Sequence, residues 1–485
     1  MFLLINSALT TKLEGQPFRF VVSPDGSGTH TTLQSAINDC PDNELSRIFI
    51  RKGVYNEQIS IGTNTTASLK KISLIGEHPD SVIITGDKFR NSSNGLTFLQ
   101  VVTFQVYATD FYAENITIRN TSSGNGQAEA LYTGADRQTF KNVKLKGFQD
   151  TYRSKKGTRG YFKNCWIEGT VDFIYAGGVL FFDDCTIHCL PGGGYITAPE
   201  DAAFTIPRAQ TAIDKFLRLG FIFRNCNITA AQGVANNSYF LGRPWNVSAG
   251  SFYLNCRLGS HIHPVGWVGW NGNETSSSFA EFRSLDSNGN PANITQRASW
   301  SFQLPEQDVN THFTTQAVYA RVSSTVFNPE ALCVAPAAPA NLRTNGNTLE
   351  WEAVETAAGY VVLRGGQYVG QTTNTHYTPA GGLEGVYTVK SVGPAGQLGE
   401  AAVITNTETA QTNSLFQIIG KTIYFNSPSY CSIYDLSGKL FSETKGLVSK
   451  LDMSDQQSGF FLLKITDNLG QKFSGKVKIT HNWSF

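Results

Sequence analysis

Short runs of alternating apolar and polar residues fill the first two thirds of the chain. Runs such as NVKLKG, NCWIEG and NCNITA recur with Gly and Asn between them, and every second side chain is apolar or small. This alternation is typical of β-strands, because the side chains of a strand point to opposite faces in turn. No amphipathic helix of about 10 to 15 residues separates the runs, which argues against a fold of alternating strands and helices.

A four-residue phrase precedes these runs and indicates that they are repeats of one unit. The phrase FKNV at Phe140 returns as FKNC at Phe162, which is 22 residues later, and related versions begin at Phe182, Phe223 and Tyr253. A repeat of about 20 to 30 residues is typical of one supersecondary unit stacked on its own copies. Because the repeated unit consists of strands, the sequence predicts a parallel β-helix.

Two aspartates have the same place in consecutive repeats. Asp150 and Asp172 each follow the Phe of the phrase by ten residues, and Gln127 and Gln149 are also 22 residues apart. Equivalent residues on adjacent coils stack at about 4.8 Å, so the two carboxyl groups should nearly touch. Two such groups do not both ionise readily at neutral pH, which predicts a proton-holding acid beside a nucleophile or base. The structural alternative is a turn-forming Asp that simply repeats.

The cysteines also follow the repeat. Four of the eight occupy one repeat position, where Val143 stands in an earlier coil: Cys165, Cys185, Cys226 and Cys256. Val and Cys are interchangeable as small buried groups, so we predict an interior stack of thiols. A zinc site, which usually has paired Cys-x-x-Cys spacing and a His partner, is the less favoured interpretation.

Charge and hydropathy argue against several classes of partner. The 485 residues contain 39 Lys and Arg against 38 Asp and Glu, a formal net charge of +1, which gives no electrostatic reason to expect nucleic acid or an anionic membrane as partner. No apolar run approaches 18 residues, so no membrane span is expected. The opening MFLLINSAL fits either the end of a signal peptide or a short irregular lead into the first coil.

Several blocks of the chain resemble one enzyme family. GFQDTY (147–152) and GTVDFIYAGG (169–178) resemble the signature motifs of the pectin methylesterases, carbohydrate esterases that demethylate homogalacturonan. Matching blocks such as VVSPDGSGTHTTLQSAINDCPDN and YFLGRPWN occur in family order over about 300 residues. The resemblance implies a right-handed parallel β-helix over residues 1–335 that hydrolyses methyl esters of polygalacturonate with no metal or other cofactor.

The resemblance also implies a catalytic role for five residues. Asp172 matches the nucleophile that attacks the ester carbonyl. Asp150 matches the residue that protonates the departing methanol and then activates water. Gln127 and Gln149 match the amides that stabilise the oxyanion, and Arg243 matches the arginine that holds the nucleophile and favours its ionised form.

Aromatic and hydroxyl residues are expected to bind the sugar. By the same resemblance, Trp245 stacks on a sugar ring, Tyr175 is an aromatic beside the substrate, and Thr97 corresponds to a substrate-contacting Thr. Trp267 and Trp270, in GWVGWNG, either line the cleft or pack in the core.

Two positions depart from the family pattern. Tyr152 follows Thr151 directly, without the residue that usually separates Thr from an aromatic, which puts a substrate contact by Tyr152 in doubt. Glu129 stands two residues after Gln127, where the family usually has a small apolar residue. Its carboxylate either tunes subsite preference or faces solvent.

The composition changes after Cys333. VAPAAPAN is a linker of the semi-rigid kind. Residues 336–404 then show short alternating strands and resemble a fibronectin type III β-sandwich, which would be a spacer or binding module. Residues 405–485 resemble the C-terminal sorting domain of the type IX secretion system, and the structural alternative is one more small β-sandwich. The chain is thus expected to be all-β.

The C-terminal resemblance also gives an expectation about location. It implies a secreted or cell-surface protein of a Gram-negative bacterium, whose partner during export is the type IX secretion machinery. We expect a monomer.

Other function classes stay open at this stage. A β-helix lyase should show a calcium-binding acid cluster, and a polygalacturonase a wider set of acids for glycosidic cleavage; the sequence shows neither. A non-catalytic carbohydrate-binding or adhesive β-helix would not need the aligned Asp and Gln pairs. A related ester, such as an acyl thioester, stays open as the substrate.

Overall fold

The computed structural model describes residues 15–66, 68–207, 216–383, 386–403, 416–419, 422–453, 459–468 and 472–479. MFLLINSAL, the join NTETAQTN between the two C-terminal segments and the tail THNWSF lie outside these residues. The described residues divide into two compact units. One unit is Phe20–Val334, and the other contains the residues from Ala335 onward together with those that precede Phe20.

Three parallel sheets form the larger unit, and successive strands visit the sheets in turn. The strands of the eleven-stranded sheet are Phe20–Val22, Leu45–Ile50, Lys71–Gly76, Tyr112–Glu114, Gln138–Lys141, Arg159–Lys163, Val179–Asp183, Phe221–Arg224, Gly250–Leu254, Ser278–Phe282 and Phe302–Gln303. Those of the eight-stranded sheet are Gly53–Asn56, Val82–Gly86, Thr117–Asn120, Lys144–Lys146, Trp166–Gly169, Thr186–Cys189, Asn227–Ala230 and Arg257–Leu258. Those of the seven-stranded sheet are Ile59–Ile61, Phe104–Val106, Leu131–Thr133, Tyr152–Ser154, Val171–Ala176, Tyr195–Pro199 and Phe240–Gly242. This arrangement is a parallel β-helix, consistent with the right-handed form.

The four-residue phrase is one corner of each coil. The rings of Phe140 and Phe162 stack with their centroids 4.7 Å apart and their planes 6° apart. The stack continues through Phe182, Phe223 and Tyr253 at centroid distances of 4.9, 4.6 and 4.5 Å. The polar residue of the phrase turns the chain with a left-handed backbone, which Asn and Asp adopt more readily than most residues; the φ values of Asn142, Asn164, Asp184, Asn225 and Asn255 lie between 50° and 56°.

The predicted stack of thiols lies inside the helix. Cys165, Cys185, Cys226 and Cys256 are at most 2% exposed and share one apolar core with the stacked aromatic rings. The amide of Cys165 donates a hydrogen bond to the sulfur of Cys185 at 3.4 Å. The prediction of an interior Cys position is therefore confirmed.

Short helices and one hairpin complete this unit. The helices are Leu33–Asp39, Phe98–Val101, Glu306–His312, Thr315–Val322 and Pro329–Leu332, with a 3₁₀ turn at Asn273–Ser276. Thr205–Pro207 and Phe216–Arg218 pair antiparallel. Within the part of the chain that the structure describes, none of the helices has the length and apolarity that a bilayer crossing requires.

The smaller unit consists of antiparallel strands. Arg343–Asn345, Thr348–Glu350 and His376–Tyr377 form one sheet, and Gly359–Arg364, Gln367–Thr372, Tyr387–Val392 and Leu398–Val403 form another. Trp351 packs edge-on against Tyr360, with the ring centroids 5.2 Å apart. A further sheet contains Phe416–Ile419, Thr422–Tyr434, Leu440–Glu443, Val448–Asp452, Gly459–Asp467 and Lys472–Ile479. The fibronectin type III and sorting-domain assignments stay predictions.

Candidate active site

The seven-stranded sheet brings the two predicted aspartates to the same level on adjacent coils. Tyr152 pairs with Ile174, and continuing this register by two residues sets Asp150 beside Asp172. The amide of Asp150 donates to the carbonyl oxygen of Val171 at 3.0 Å. Both aspartates have a left-handed backbone, with φ values of 67° and 48°, where each enters its strand. Asp tolerates this conformation better than most residues, which favours an Asp or Asn at both positions.

Arg243 forms a two-pronged ion pair with Asp172. Its Nε donates to Oδ1 at 3.0 Å and its Nη2 to Oδ2 at 2.6 Å. The guanidinium carbon lies 3.8 Å from the ring centroid of Tyr195 and 4.0 Å from that of Trp270. Both oxygens of Asp172 are thus held by a planar cation that is itself fixed between two aromatic rings.

The two carboxyl groups have different electrostatic surroundings. Asp150 is 2% exposed, and burial, with repulsion from Glu129 and Asp172, raises its pKa well above the usual range. Burial also raises the pKa of Asp172, but the hydrogen bonds and charge of Arg243 oppose that rise. Among the described residues, no arginine forms a comparable ion pair with Asp150. The environment therefore favours Asp150 as the proton-holding acid and Asp172 as the anion.

Gln149 directly precedes Asp150, and Gln127 lies on the preceding coil. The amide of Ala128, next to Gln127, donates to the carbonyl oxygen of Gln149 at 3.2 Å. Gln127 also exchanges backbone hydrogen bonds of 2.9 and 3.0 Å with Arg90. Both glutamines are half-buried, and their role as oxyanion donors stays a prediction.

The predicted substrate-contacting aromatics Tyr175 and Trp245 contact each other, whereas Thr97 stands at the start of a short helix. Tyr175 packs edge-on against Trp245, with the ring centroids 5.9 Å apart, and Trp245 is 38% exposed. Thr97 precedes the helix Phe98–Val101, and its hydroxyl donates to Oε1 of Gln100 at 3.0 Å. No described contact joins Thr97 to the aspartates. The next residue, Phe98, packs its ring on Arg153, and the predicted substrate contact of Thr97 stays a prediction.

The structure also shows where the four residues lie whose placement the sequence left open. Trp267 is 1% exposed and packs in the core, whereas Trp270 stacks on Arg243 at the site. Tyr152 is fully buried against Phe162 and does not face the site. Glu129 is also fully buried, which excludes the alternative that it faces solvent. Its Oε1 accepts a hydrogen bond from the Tyr175 hydroxyl.

Sequence reasoning missed three residues at the site. Arg90 and Arg153 both oppose the rise in the pKa of Asp150 through their positive charge, and Tyr195 supports Arg243. None of them stands in a block whose family role was assigned. The alternation around Tyr152 gave a signal for Arg153, since a residue that follows a core residue in a strand points outward.

Comparisons with known proteins point to one enzyme family. A pectinesterase family model matches residues 19–321. Pectinesterase 2 of Citrus sinensis is 33% identical over 289 residues, which is 58% of this chain and 53% of that protein. The chain spans about half the length of the curated relatives that it matches.

Two solved structures match the fold of 64% of this chain. Pectin methylesterase from carrot matches with a TM-score of 0.53 and 25% identity over 64% of this chain and 98% of that one. Pectin methylesterase PemA from Erwinia chrysanthemi matches with a TM-score of 0.51 and 25% identity over 64% of this chain and 99% of that one. Since the family model covers well over half of the residues, the chain belongs to the pectinesterase family.

Proposed function

We propose that this protein hydrolyses the methyl esters of polygalacturonate by a covalent route that uses Asp172 as nucleophile and needs no metal ion. The observation that carries the proposal is the contrast between the aspartates: Asp172 is held by Arg243, whereas Asp150 is buried beside other acids. Family membership supports methyl-esterified pectin as the substrate, because the solved relatives are named pectin methylesterases.

The first half of the reaction releases methanol. An oxygen of Asp172 attacks the ester carbonyl carbon, and the carbonyl electron pair moves to its oxygen. The amide N–H groups of Gln127 and Gln149 stabilise that oxyanion, an interaction for which removal of one donor typically costs about 10²- to 10³-fold in rate. When the intermediate collapses, the bond to the methoxy oxygen breaks and Asp150 gives its proton to that oxygen.

The second half restores the enzyme. The galacturonyl group is now joined to Asp172 as an anhydride, and Asp150 is ionised. Asp150 removes a proton from water while the resulting hydroxide attacks the anhydride carbonyl, and the bond to the Asp172 oxygen breaks. Galacturonic acid leaves, Asp150 holds its proton again, and Asp172 returns as a carboxylate beside Arg243.

Methanol release from highly methylated pectin in the presence of EDTA tests this proposal. We expect release by the full chain, and a loss of at least about 10⁴-fold in Asp172→Ala, as for loss of a nucleophile elsewhere. Asp286→Ala, at an exposed carboxylate bound by its own loop, is the matched control and should keep full activity. Circular dichroism should show the same fold in all three proteins.

Other outcomes would identify other functions. Retention of most activity by Asp172→Ala would overturn the nucleophile assignment. Unsaturated uronides without methanol would indicate a lyase, and silence in both measurements would favour carbohydrate binding or a different ester. Activity that EDTA abolishes and added metal restores would overturn the metal-free route.

The antiparallel sheets of residues 343–403 and 416–479 support a proposal for the C-terminal part. We assign residues 336–404 to a fibronectin type III-like spacer or binding module and residues 405–485 to a sorting domain for type IX secretion. The protein would then be a secreted or cell-surface monomer of a Gram-negative bacterium. Deletion of residues 405–485 should leave the protein inside a host that has this secretion system, and unchanged export of the shortened chain would contradict the assignment.

A further inference from the structure

A groove lies at the end of the eight-stranded sheet. Its first cavity, of about 490 Å³, is lined by the strand Asn227–Ala230 and by residues that follow it and the strand Arg257–Leu258. A second cavity, of about 380 Å³, lies beside the first, since Gly259, Ser260 and Ser287 line both. The two aspartates of the candidate active site belong to strands of the seven-stranded sheet, so the groove is on a different face of the β-helix.

The lining of the groove combines apolar side chains with amides and hydroxyls. Ile228, Ala230 and Val234 supply apolar surface in the first cavity. The amides and hydroxyls that line the two cavities include those of Asn227, Thr229, Gln232, Asn236, Asn293 and Gln296. Amides and hydroxyls donate and accept hydrogen bonds, as sugar hydroxyls do, while apolar side chains pack on the C–H groups of a sugar ring. The composition of the groove therefore suits a saccharide.

His261, in the wall of the first cavity, has a nitrogen without a partner. The residue is 3% exposed, and within the part of the chain that the structure describes, its buried Nε2 makes no hydrogen bond. Buried polar atoms are nearly always hydrogen-bonded in native proteins, so an exception in the wall of a cavity indicates a ligand that supplies the bond. Burial, with the charge of nearby His188, lowers the pKa of His261 to about 4. The imidazole is thus neutral at neutral pH and can donate one hydrogen bond and accept another.

The imidazole of His261 is held in place by its neighbours. Its ring packs edge-on against that of buried Tyr239, with the centroids 5.9 Å apart. It also lies against Gly259, where a Cβ atom would come within 2.6 Å of Nδ1, so only a glycine leaves room for the ring. A side chain fixed in this way is preorganised for binding.

The charges of the groove nearly balance. In the first cavity, Arg257 is exposed and His261 is neutral. In the second cavity, Arg297 is neutralised by Glu281, to which its Nε donates at 2.7 Å, and Asp286 is an acid. An anionic polymer would meet repulsion from Asp286, whereas an uncharged sugar meets none. The groove therefore favours uncharged sugar units.

We propose that this groove binds a stretch of uncharged sugar units, one hydroxyl of which forms a hydrogen bond with His261. Methyl-esterified galacturonate has this chemistry, because the ester removes the charge of the carboxylate; this choice of sugar rests on the proposed function. A polymer bound in the groove by its esterified part would raise the effective concentration of its other esters at the active site.

Calorimetric titration of the full chain with galactotriose tests the groove. This probe has neither an ester nor a carboxylate, so the measurement does not depend on catalysis. His261→Phe keeps a ring against Tyr239 but removes both nitrogens, and it should weaken binding at least about tenfold, in line with the loss of a buried hydrogen bond. His78→Phe, at a histidine whose side chain is 60% exposed, is the matched control and should bind as the parent does.

Fully methyl-esterified trigalacturonate is the second probe and identifies the sugar. It is titrated into Asp172→Asn, so that its esters stay intact, and into the same variant with His261→Phe. We expect two bound molecules in the first protein, one in each site, and one in the second. Equal stoichiometry in the two proteins, with galactotriose bound through His261, would support the groove but overturn esterified galacturonate as its sugar.

Thermal unfolding distinguishes a histidine that binds a ligand from one that stabilises the fold. Without ligand, His261→Phe removes an unpartnered buried nitrogen, so its melting temperature should equal or exceed that of the parent. A lower melting temperature in His261→Phe would contradict the binding role. His261→Gln, which places an amide near the position of Nε2, should recover part of the affinity for galactotriose.

The groove and the proposed esterase can fail separately. Binding of neither probe, or equal affinity of His261→Phe and its parent for both, overturns the groove even if methanol is released from pectin. Binding that depends on His261, in a protein that releases no methanol, supports the groove and overturns the esterase.

Discussion

Equivalent residues stack on consecutive coils in two regions of this β-helix, with opposite energetic consequences. Inside the helix, Phe140 and Phe162 stack face to face at 4.7 Å, and burial of two neutral rings stabilises the fold. On the outer face of the seven-stranded sheet, the same repeat places Asp150 beside Asp172. Two acids at this separation repel each other when ionised, so here the repeat opposes folding.

This difference distinguishes the positions of a repeat protein that stabilise the fold from those that form a functional site. Stacking of neutral groups is favourable at every coil, because no charge repulsion has to be offset. Stacking of acids requires one group to keep its proton and the other to have a cation, and Asp150 and Arg243 meet these needs. A pair that is costly to fold but suited to proton transfer indicates a functional site.

Truncation of an interior ring gives the largest effect on stability. We expect Phe162→Ala to lower the free energy of unfolding by about 3 to 5 kcal/mol, because it leaves a cavity between two stacked rings. Chemical denaturation followed by tryptophan fluorescence measures the change. Phe216→Ala is the control, since Phe216 is 61% exposed and its truncation should change stability by less than about 0.5 kcal/mol. Similar losses in the two variants would show that the stack has no special role.

Neutralising Asp150 on the outer face should instead raise the stability of the fold at neutral pH. The native pKa of Asp150 lies above its unfolded value, so the folded protein holds a proton that the unfolded chain releases as pH rises between the two pKa values. Stability therefore falls across that range, by about 1.4 kcal/mol for each unit of pKa difference. Asp150→Asn removes this fall, and it should unfold at higher temperature than the parent at neutral pH while losing activity.

The pH dependence of this gain is the sharper test. Below about pH 3.9, where Asp is protonated in both states, Asp150→Asn and the parent should melt together. Asp286→Asn is a control of opposite sign, because backbone hydrogen bonds lower the pKa of Asp286 and their loss should weaken the fold at neutral pH. A gain for Asp150→Asn that is the same at every pH would contradict the assignment of the proton to Asp150.

The repeat phrase was enough to predict the interior. Aromatic, polar, then Val or Cys is a local pattern with a local cause, because the aromatic packs inward and Asn or Asp takes the left-handed turn. The level of Asp150 with Asp172 follows from the same 22-residue spacing. Packing within one coil, and the alignment of residues between adjacent coils, can therefore be predicted from the sequence.

Contacts between segments that are distant in the sequence could not be predicted from it. Phe98 packs on Arg153 across 55 residues, and Trp270 stacks on Arg243 although Trp267, three residues earlier, is buried in the core. These contacts depend on how the strand ends and loops bend over the sheet, which alternation does not encode. For the same reason, the sequence left the position of Glu129 open between solvent and cleft.

Replacement of Glu129 gives the smallest effect and tests whether a third acid tunes the pair. Repulsion from Glu129 contributes to the raised pKa of Asp150, which in the proposed mechanism must be protonated to release methanol. Activity should fall as pH rises through that pKa, so Glu129→Gln should move the alkaline limb of the rate profile to lower pH. The plateau kcat should stay within about twofold, because Gln keeps the size of Glu and an oxygen for the Tyr175 hydroxyl.

The control for this shift in the rate profile is a glutamate elsewhere in the β-helix. Glu168, half-buried in the strand Trp166–Gly169, pairs with Lys146 at 3.2 Å, and Glu168→Gln should leave the profile unchanged. A uniform loss of kcat in Glu129→Gln, with both limbs in place, would mean that Glu129 acts only by holding Tyr175. A shift of the alkaline limb alone would mean that the outer face stacks three acids where the interior stacks rings, and that repulsion among them sets the pH range of the enzyme.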